Sequence, residues 1–179
     1  MMFFSCANRI ICRTKNDKVY TMSSSNDMYP ALNFPAFKFK IRKNNGRYEV
    51  FDPVRKRYVA LTPEEWVRQH VVAYLHFCKG YPLELMQVEG AIVVNNLSMR
   101  CDIVVYNKGL KPMLLVECKQ PSVPISQKTF DQAGRYNLVL DVPYLFVTNG
   151  MQHCCFSLVK EEQRFEYHSD LPDKSLLGI

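Results

Sequence analysis

The chain predicts a mixed α/β domain, a central sheet flanked by helices, and three observations carry that expectation. Short runs in which apolar and charged residues alternate recur along the sequence, the period-two mark of half-exposed strands. Two longer segments show helical spacing, the first with a clear start signal. The order is helix, three strands, helix, strand, which suits helices packed on a mixed sheet.

The first strand is read from Phe37, Phe39 and Ile41 alternating with Lys38, Lys40 and Arg42. Asn44-Asn45-Gly46 supplies a turn, and Tyr48 to Phe51 returns as the partner strand. Thr62 then offers an N-cap, Pro63 suits the first helical position, and Glu65 stands where a capping box places its carboxylate. Trp66, Val67, Val71, Tyr74, Leu75 and Cys78 form one apolar stripe, and Gly80 and Pro82 end the helix. Strands follow at Met86 to Val94, Met99 to Tyr106 and Met113 to Lys119, separated by turns at Asn95-Asn96 and Asn107-Lys108-Gly109. After Pro121 and Pro124 a second helix runs from about Ser126 to Leu140. Tyr144 to Thr148 reads as a buried strand, and Cys154 to Leu158 with Arg164 to Tyr167 as a closing hairpin.

Composition bounds what such a domain is. With 179 residues, 47% of them hydrophobic and 22% charged, the chain suits one globular domain with short extensions. Residues 28–168 are expected to be that domain, 1–27 a disordered tail or an extension from an upstream start, and 169–179 a C-terminal tail. No run approaches the roughly 18 apolar residues of a membrane span, and Asn8 and Arg9 interrupt the apolar start too early for a signal peptide. Seven scattered cysteines do not form a secreted disulfide framework, so a cytoplasmic location is expected. His153-Cys154-Cys155 is a weak zinc signal without a second ligand pair. The four histidines read as structural or exposed, because none is paired with a nucleophile. The net charge of +6 is concentrated between Lys38 and Arg57, where Glu49 and Asp52 are the acids. Such a stretch attracts phosphate backbones or guards an edge strand against aggregation.

Two neighbouring strands carry charges that a core would not tolerate without purpose. Asp102 opens an otherwise apolar strand, Ile103-Val104-Val105-Tyr106, and Glu117 and Lys119 close the next. Alternation puts Glu117 and Lys119 on one face and Cys118 on the other. A turn between the strands makes them antiparallel, which brings Asp102 beside Glu117. Two carboxylates and a lysine converging in this way suit a Mg²⁺ ion and an attacking water, since Mg²⁺ takes few protein oxygens and keeps several waters. A buried Glu–Lys pair with an unrelated Asp is the plainer alternative.

Asp102 followed by Glu117-Cys118-Lys119 resembles the D…ExK core of PD-(D/E)xK nucleases. Together with Phe51-Asp52-Pro53, Thr62 to Gln69, Arg100 to Tyr106, Val116 to Lys119 and Val147-Thr148-Asn149-Gly150, it is similar to a stand-alone domain related to the N-terminus of type I restriction enzyme R proteins. The resemblance implies a restriction-endonuclease-like fold and a Mg²⁺-dependent DNA endonuclease, with Mn²⁺ as a substitute and other restriction or defence subunits as partners. It also implies Gln132 and Tyr136, which match the Q-x-x-x-Y element after the catalytic strand and share one helical face. Cys101 stands where the family name places proline.

Asp102, Glu117 and Glu64 are the expected metal ligands, with Lys119 at the water. Glu64 is preferred over Glu65, which has a capping role, because it shares the inward Val67–Val71 face; Glu89 is a third candidate. The alternative function is a non-catalytic nucleic-acid-binding module or a structural subunit of a larger complex. The sequence contains no G-x-x-x-x-G-K-[ST] motif, so no ATPase motor is expected within it.

Overall fold

A computed structural model of the chain describes residues 29–94, 97–159, 162 and 164–178. The expected tail at 1–27 and the Asn95-Asn96 turn lie outside those residues. The first strands form a three-stranded antiparallel meander: β1 Ile41–Asn44, β2 Arg47–Asp52 and β3 Arg57–Ala60. The type of turn at Asn45-Gly46 demands positive φ, and both residues supply it, at 46° and 79°. The sequence reading passed over β3, whose only apolar core is Tyr58-Val59 in a basic stretch.

Helix α1, Pro63–Ala73, starts as the sequence requires, with the Thr62 side chain accepting from the Glu65 backbone N–H at 3.1 Å. Only half of the capping box forms. The Glu65 carboxylate turns inward to Arg55, Arg68 and Gln69 instead of returning to its own cap. The helix widens into a π turn at Tyr74–Cys78 before Gly80 ends it with φ 74°. Its burial is more than one stripe wide, since Arg68, Gln69 and His70 are covered along with Val67, Val71 and Val72. Residues 29–40 are the cover on the His70 side. Phe39 sits 4.7 Å from the His70 ring and Phe34 4.5 Å from the His153 ring. Asn33 N–H donates to the Gly150 carbonyl at 2.7 Å. Gly150 suits that position because it takes φ 83°, a conformation that strains other residues, and a Cβ would also crowd the Leu32 and Val67 side chains.

The central sheet has the order β11-β10-β9-β8-β7-β4. These strands are β4 Met86–Val88, β7 Ile103–Tyr106, β8 Pro112–Cys118, β9 Tyr144–Thr148, β10 His153–Val159 and β11 Arg164–His168. Strand β8 pairs antiparallel with β7 and parallel with β9. A parallel pair needs a long crossover, and helix α2, Gln127–Leu140, provides it. Leu114, Val116 and Cys118 of β8 join the α1 core with Val67, Val71 and Phe146. Leu115 faces the other way, packing with Val104, Val142 and Leu145. Glu117 and Lys119 therefore belong to the opposite face from Val116 and Cys118.

Two strands expected as continuous are each cut in two. Met86 to Val94 breaks at Glu89, which takes φ 48° ahead of Gly90, and Met99 to Tyr106 breaks at the bend holding Asp102. The pieces β5 Ala91–Val94 and β6 Leu97–Arg100 pair with each other as a separate hairpin outside the central sheet. The Glu89 N–H donates to the Asp102 carbonyl at 2.9 Å and pins the junction.

The segment expected as a C-terminal tail does not leave the domain at 169. Leu171 is buried in the α1 core, the buried Tyr81 hydroxyl donates to the Pro172 carbonyl at 2.6 Å, and Lys79 pairs with Asp170 at 2.6 Å. The exposed polar residues around Leu171 hid this contact from a pattern reading.

Candidate active site

The site forms where β7 begins and β8 ends. Register pairs Ile103 with Val116, so one further step sets Asp102 opposite Glu117. Glu117 is buried, and its Oε1 accepts from Lys119 Nζ at 2.6 Å and from Gln132 Nε2 at 2.7 Å. Gln132 comes from the first half of α2, which packs over this end of β8. Burial pushes the Glu117 carboxyl up to about 7, and the nearby negative charges of Asp102 and Glu64 add to the rise while Lys119 opposes it. Burial disfavours the Lys119 ammonium, yet the hydrogen bond and charge of Glu117 hold its pKa above the ordinary lysine value. Lys119 is held in place by its backbone, donating to the Thr148 carbonyl of β9 at 2.8 Å.

Asp102 is fixed from two sides. Its Oδ2 accepts the Cys118 backbone N–H at 2.6 Å, and its Oδ1 accepts Arg68 Nη2 at 2.7 Å. The same Nη2 reaches Glu64 Oε1 at 3.1 Å, so one arginine bridges the two carboxylates. Arg68 is buried, and its Nε has no hydrogen-bond partner among the described residues. The sequence showed Arg68 one turn along the helix from Glu64 without revealing that it reaches Asp102.

Glu64 and Glu65 divide differently from the inward placement expected for Glu64. Glu64 is the more exposed, lying at the mouth of a cleft of about 400 Å³ between β3 and the start of α1. Glu65 is buried in a second network. Arg55 donates to Asp52 at 2.6 Å, to Glu65 at 2.5 Å and to Glu89 at 2.5 Å, and Gln69 bridges Asp52 and Glu65 at 2.9 and 2.8 Å. Glu89 pairs also with Arg100 at 2.9 Å. Arg55, read in the sequence as one of a run of phosphate-attracting cations, is thus committed to internal carboxylates.

The structure brings Glu64, Asp102, Glu117, Lys119 and Gln132 together; the side chain of Tyr136 lies outside the described part. Among the described residues no three His, Cys, Asp or Glu groups form a ready metal cluster. His153, Cys154 and Cys155 do not converge as a zinc site would require. Cys155 is buried in the α1 core while its strand neighbour Cys154 faces away, and His153 bonds Thr148 and Asn33. Asp102, Glu117 and Glu64 are oxygen donors of the type a hard cation such as Mg²⁺ takes, and both Asp102 oxygens already accept hydrogen bonds from the Cys118 N–H and Arg68.

Fold and site together define a mixed α/β domain of the restriction-endonuclease-like kind. The family model for the type I restriction enzyme R protein N terminus (HSDR_N) matches residues 63–172, and the chain belongs to that family. The match includes every residue of the Glu64–Asp102–Glu117–Lys119 constellation and excludes the β1–β3 meander. Among solved structures, the fold is similar to a fragment described as an HsdR subunit of a type I restriction enzyme from Vibrio vulnificus YJ016. That similarity has a TM-score of 0.51 at 19% identity and covers 65% of this chain and 24% of that one. No curated protein matches the chain. No helix among the described residues is long and apolar enough to cross a membrane.

Proposed function

We propose that this chain is a Mg²⁺-dependent endodeoxyribonuclease domain that acts in the cytoplasm with other restriction subunits. The observation that carries the reading is the pairing of Asp102 with Glu117 across β7 and β8, with Lys119 Nζ on the Glu117 carboxylate. Asp102, Glu117 and Glu64 would hold the ion, and Mn²⁺ suits the same oxygens. When bound, the ion supplies charge stabilisation to a phosphate oxygen and lowers the pKa of water. Lys119, held at 2.6 Å from the Glu117 carboxylate, orients the attacking water. Gln132 keeps Glu117 turned toward Lys119.

A second reading has one observation in its favour. Arg68 already bridges Asp102 and Glu64, so the carboxylates have a cation without a metal. A non-catalytic DNA-binding module would need nothing more. The deciding measurement is cleavage of duplex, single-stranded and branched DNA in Mg²⁺ or Mn²⁺, alongside binding at one salt concentration. Lys119→Ala is expected to lower turnover on the order of a hundredfold, the range for losing a positioned acid, base or electrostatic group, with little change in affinity. If the wild type cuts none of the three in either metal, the nuclease reading is wrong.

A further inference from the structure

The outer face of the β1–β3 meander has properties the carboxylate site does not use. From residue 37 onward the chain alternates strictly. Phe37, Phe39 and Ile41 turn toward α1, where Phe39 packs on Trp66 and His70, while Lys38, Lys40 and Arg42 stay exposed. Phe51 N–H donates to the Lys40 carbonyl at 2.8 Å, extending the β1–β2 pairing one step, and Phe51 is in turn opposite Tyr58. Lys40, Phe51 and Tyr58 therefore form one row across the sheet, with Arg42 in the next row on the same face.

The rings on this face are covered by cations. Arg42 stacks over Tyr58 with 3.9 Å from its guanidinium carbon to the ring centre, and Lys40 lies 5.9 Å over Phe51. Phe51 and Tyr58 contact each other edge-on at 5.4 Å. Such stacking holds long cationic side chains upright at little cost while their outward edges stay in water. Two acids occur between residues 38 and 60. Asp52 is fully buried against Arg55, and Glu49 accepts from Arg42. The face thus keeps a strong positive surplus. Tyr58 and Arg57 also line the cleft that Glu64 and Arg68 line, so the basic face adjoins that cleft.

We propose that this face binds the phosphate backbone of duplex DNA and feeds it toward the cleft at Glu64. The inference rests on the nuclease reading for what happens in the cleft, not for the binding itself. Duplex DNA is favoured over an unpaired strand for a physical reason. Single-strand binders present open rings on which bases stack, whereas here Lys40 and Arg42 cap the rings. What remains to offer is charge, and a duplex carries about one phosphate charge per 1.7 Å.

The test measures binding in EDTA, so that no cleavage intervenes, with short duplex and single-stranded DNA across a series of salt concentrations. The variant combines Lys38→Gln, Lys40→Gln and Arg42→Gln; Lys38→Gln alone serves as a second variant should the triple lower the melting temperature. Expected is a tenfold or greater loss of duplex affinity. The slope of log affinity against log salt should be shallower by about 0.9 for each phosphate contact removed, and the loss on single strands smaller. An unchanged slope, or a larger loss on single strands than on duplex, overturns the surface. If the slope is unchanged and the wild type cuts DNA, the surface fails and the nuclease reading stands. If the slope flattens and the wild type never cuts, the surface stands and the nuclease reading falls.

Discussion

Two networks of carboxylates and cations meet at Arg68, and they are built of the same residue types to opposite ends. On one side Asp52, Arg55, Glu65 and Gln69 form a closed set. The Asp52 side chain is 0% exposed, Glu65 5% and Arg55 10%, and Asp52 also takes the backbone N–H groups of Val54 and Arg55. On the other side Glu64, Asp102, Glu117 and Lys119 form an open set, in which Glu64 is 44% exposed and Lys119 23%. The closed set shares Arg55 and Gln69 between its two carboxylates and is almost wholly buried. The open set gathers three carboxylates around Lys119 and a shared Arg68, and it faces solvent through Glu64. Charged residues in a core are therefore no sign of chemistry by themselves; what separates the two sets is the path to water.

The comparison breaks most easily at Arg55. Arg55→Ala leaves Asp52 and Glu65 buried without their main cation, and breaking such a pair typically costs about 3–5 kcal/mol. Chemical denaturation should show a loss of that size, and a loss below about 1 kcal/mol would mean the closed set is not structural.

The adjacent glutamates give a sharper contrast. Glu65→Gln is expected to destabilise by about 1–3 kcal/mol, since a buried hydrogen-bonded charge is lost. Glu64→Gln is expected to change stability by less than about 0.5 kcal/mol, as at other exposed positions, while weakening Mn²⁺ binding followed by paramagnetic resonance. The reverse pattern would exchange their assignments.

A further test is one of pH. The Glu117 carboxyl is raised to about 7 in the folded protein, above its ordinary value, so the native state holds the extra proton. Where the folded state binds more protons, stability falls as pH rises. Metal-free protein should lose stability from about pH 5 to pH 7 and level off above, and Glu117→Gln should flatten that slope in melts run across the range. A slope of the same steepness in the variant would place the titration elsewhere. Removing Asp102 would leave the Cys118 N–H without an acceptor, while Arg68 keeps Glu64 and Glu65.

The sequence displayed the open set better than the closed one. Alternation in Val116-Glu117-Cys118-Lys119 and the turn between two apolar strands were enough to place Asp102 against Glu117, because strand geometry leaves a single register that buries Val116 and Cys118. Nothing local distinguished Arg55 from the six or so basic residues around it; its burial depends on Glu65 and Glu89, distant in sequence and brought close by the fold. Helical patterning likewise placed Glu64 inward, because it cannot register that Arg55 and Arg68 draw Glu65 into the core instead. The break at Glu89 was hidden for a related reason, since a glutamate in a left-handed conformation is stabilised there by contacts with Asp102 and Arg100.

The same alternation that turns Glu117 and Lys119 toward the site seals Cys118 between them, fully buried, with burial pushing its thiol well above the ordinary range. Its sulfur is shielded from alkylating reagents for as long as β8 stays in place. The rate at which it becomes labelled then measures how often that strand opens, in the manner of amide exchange. The protein thus carries, between the two residues of greatest interest, an internal clock for the integrity of its site that needs neither substrate nor metal to be read.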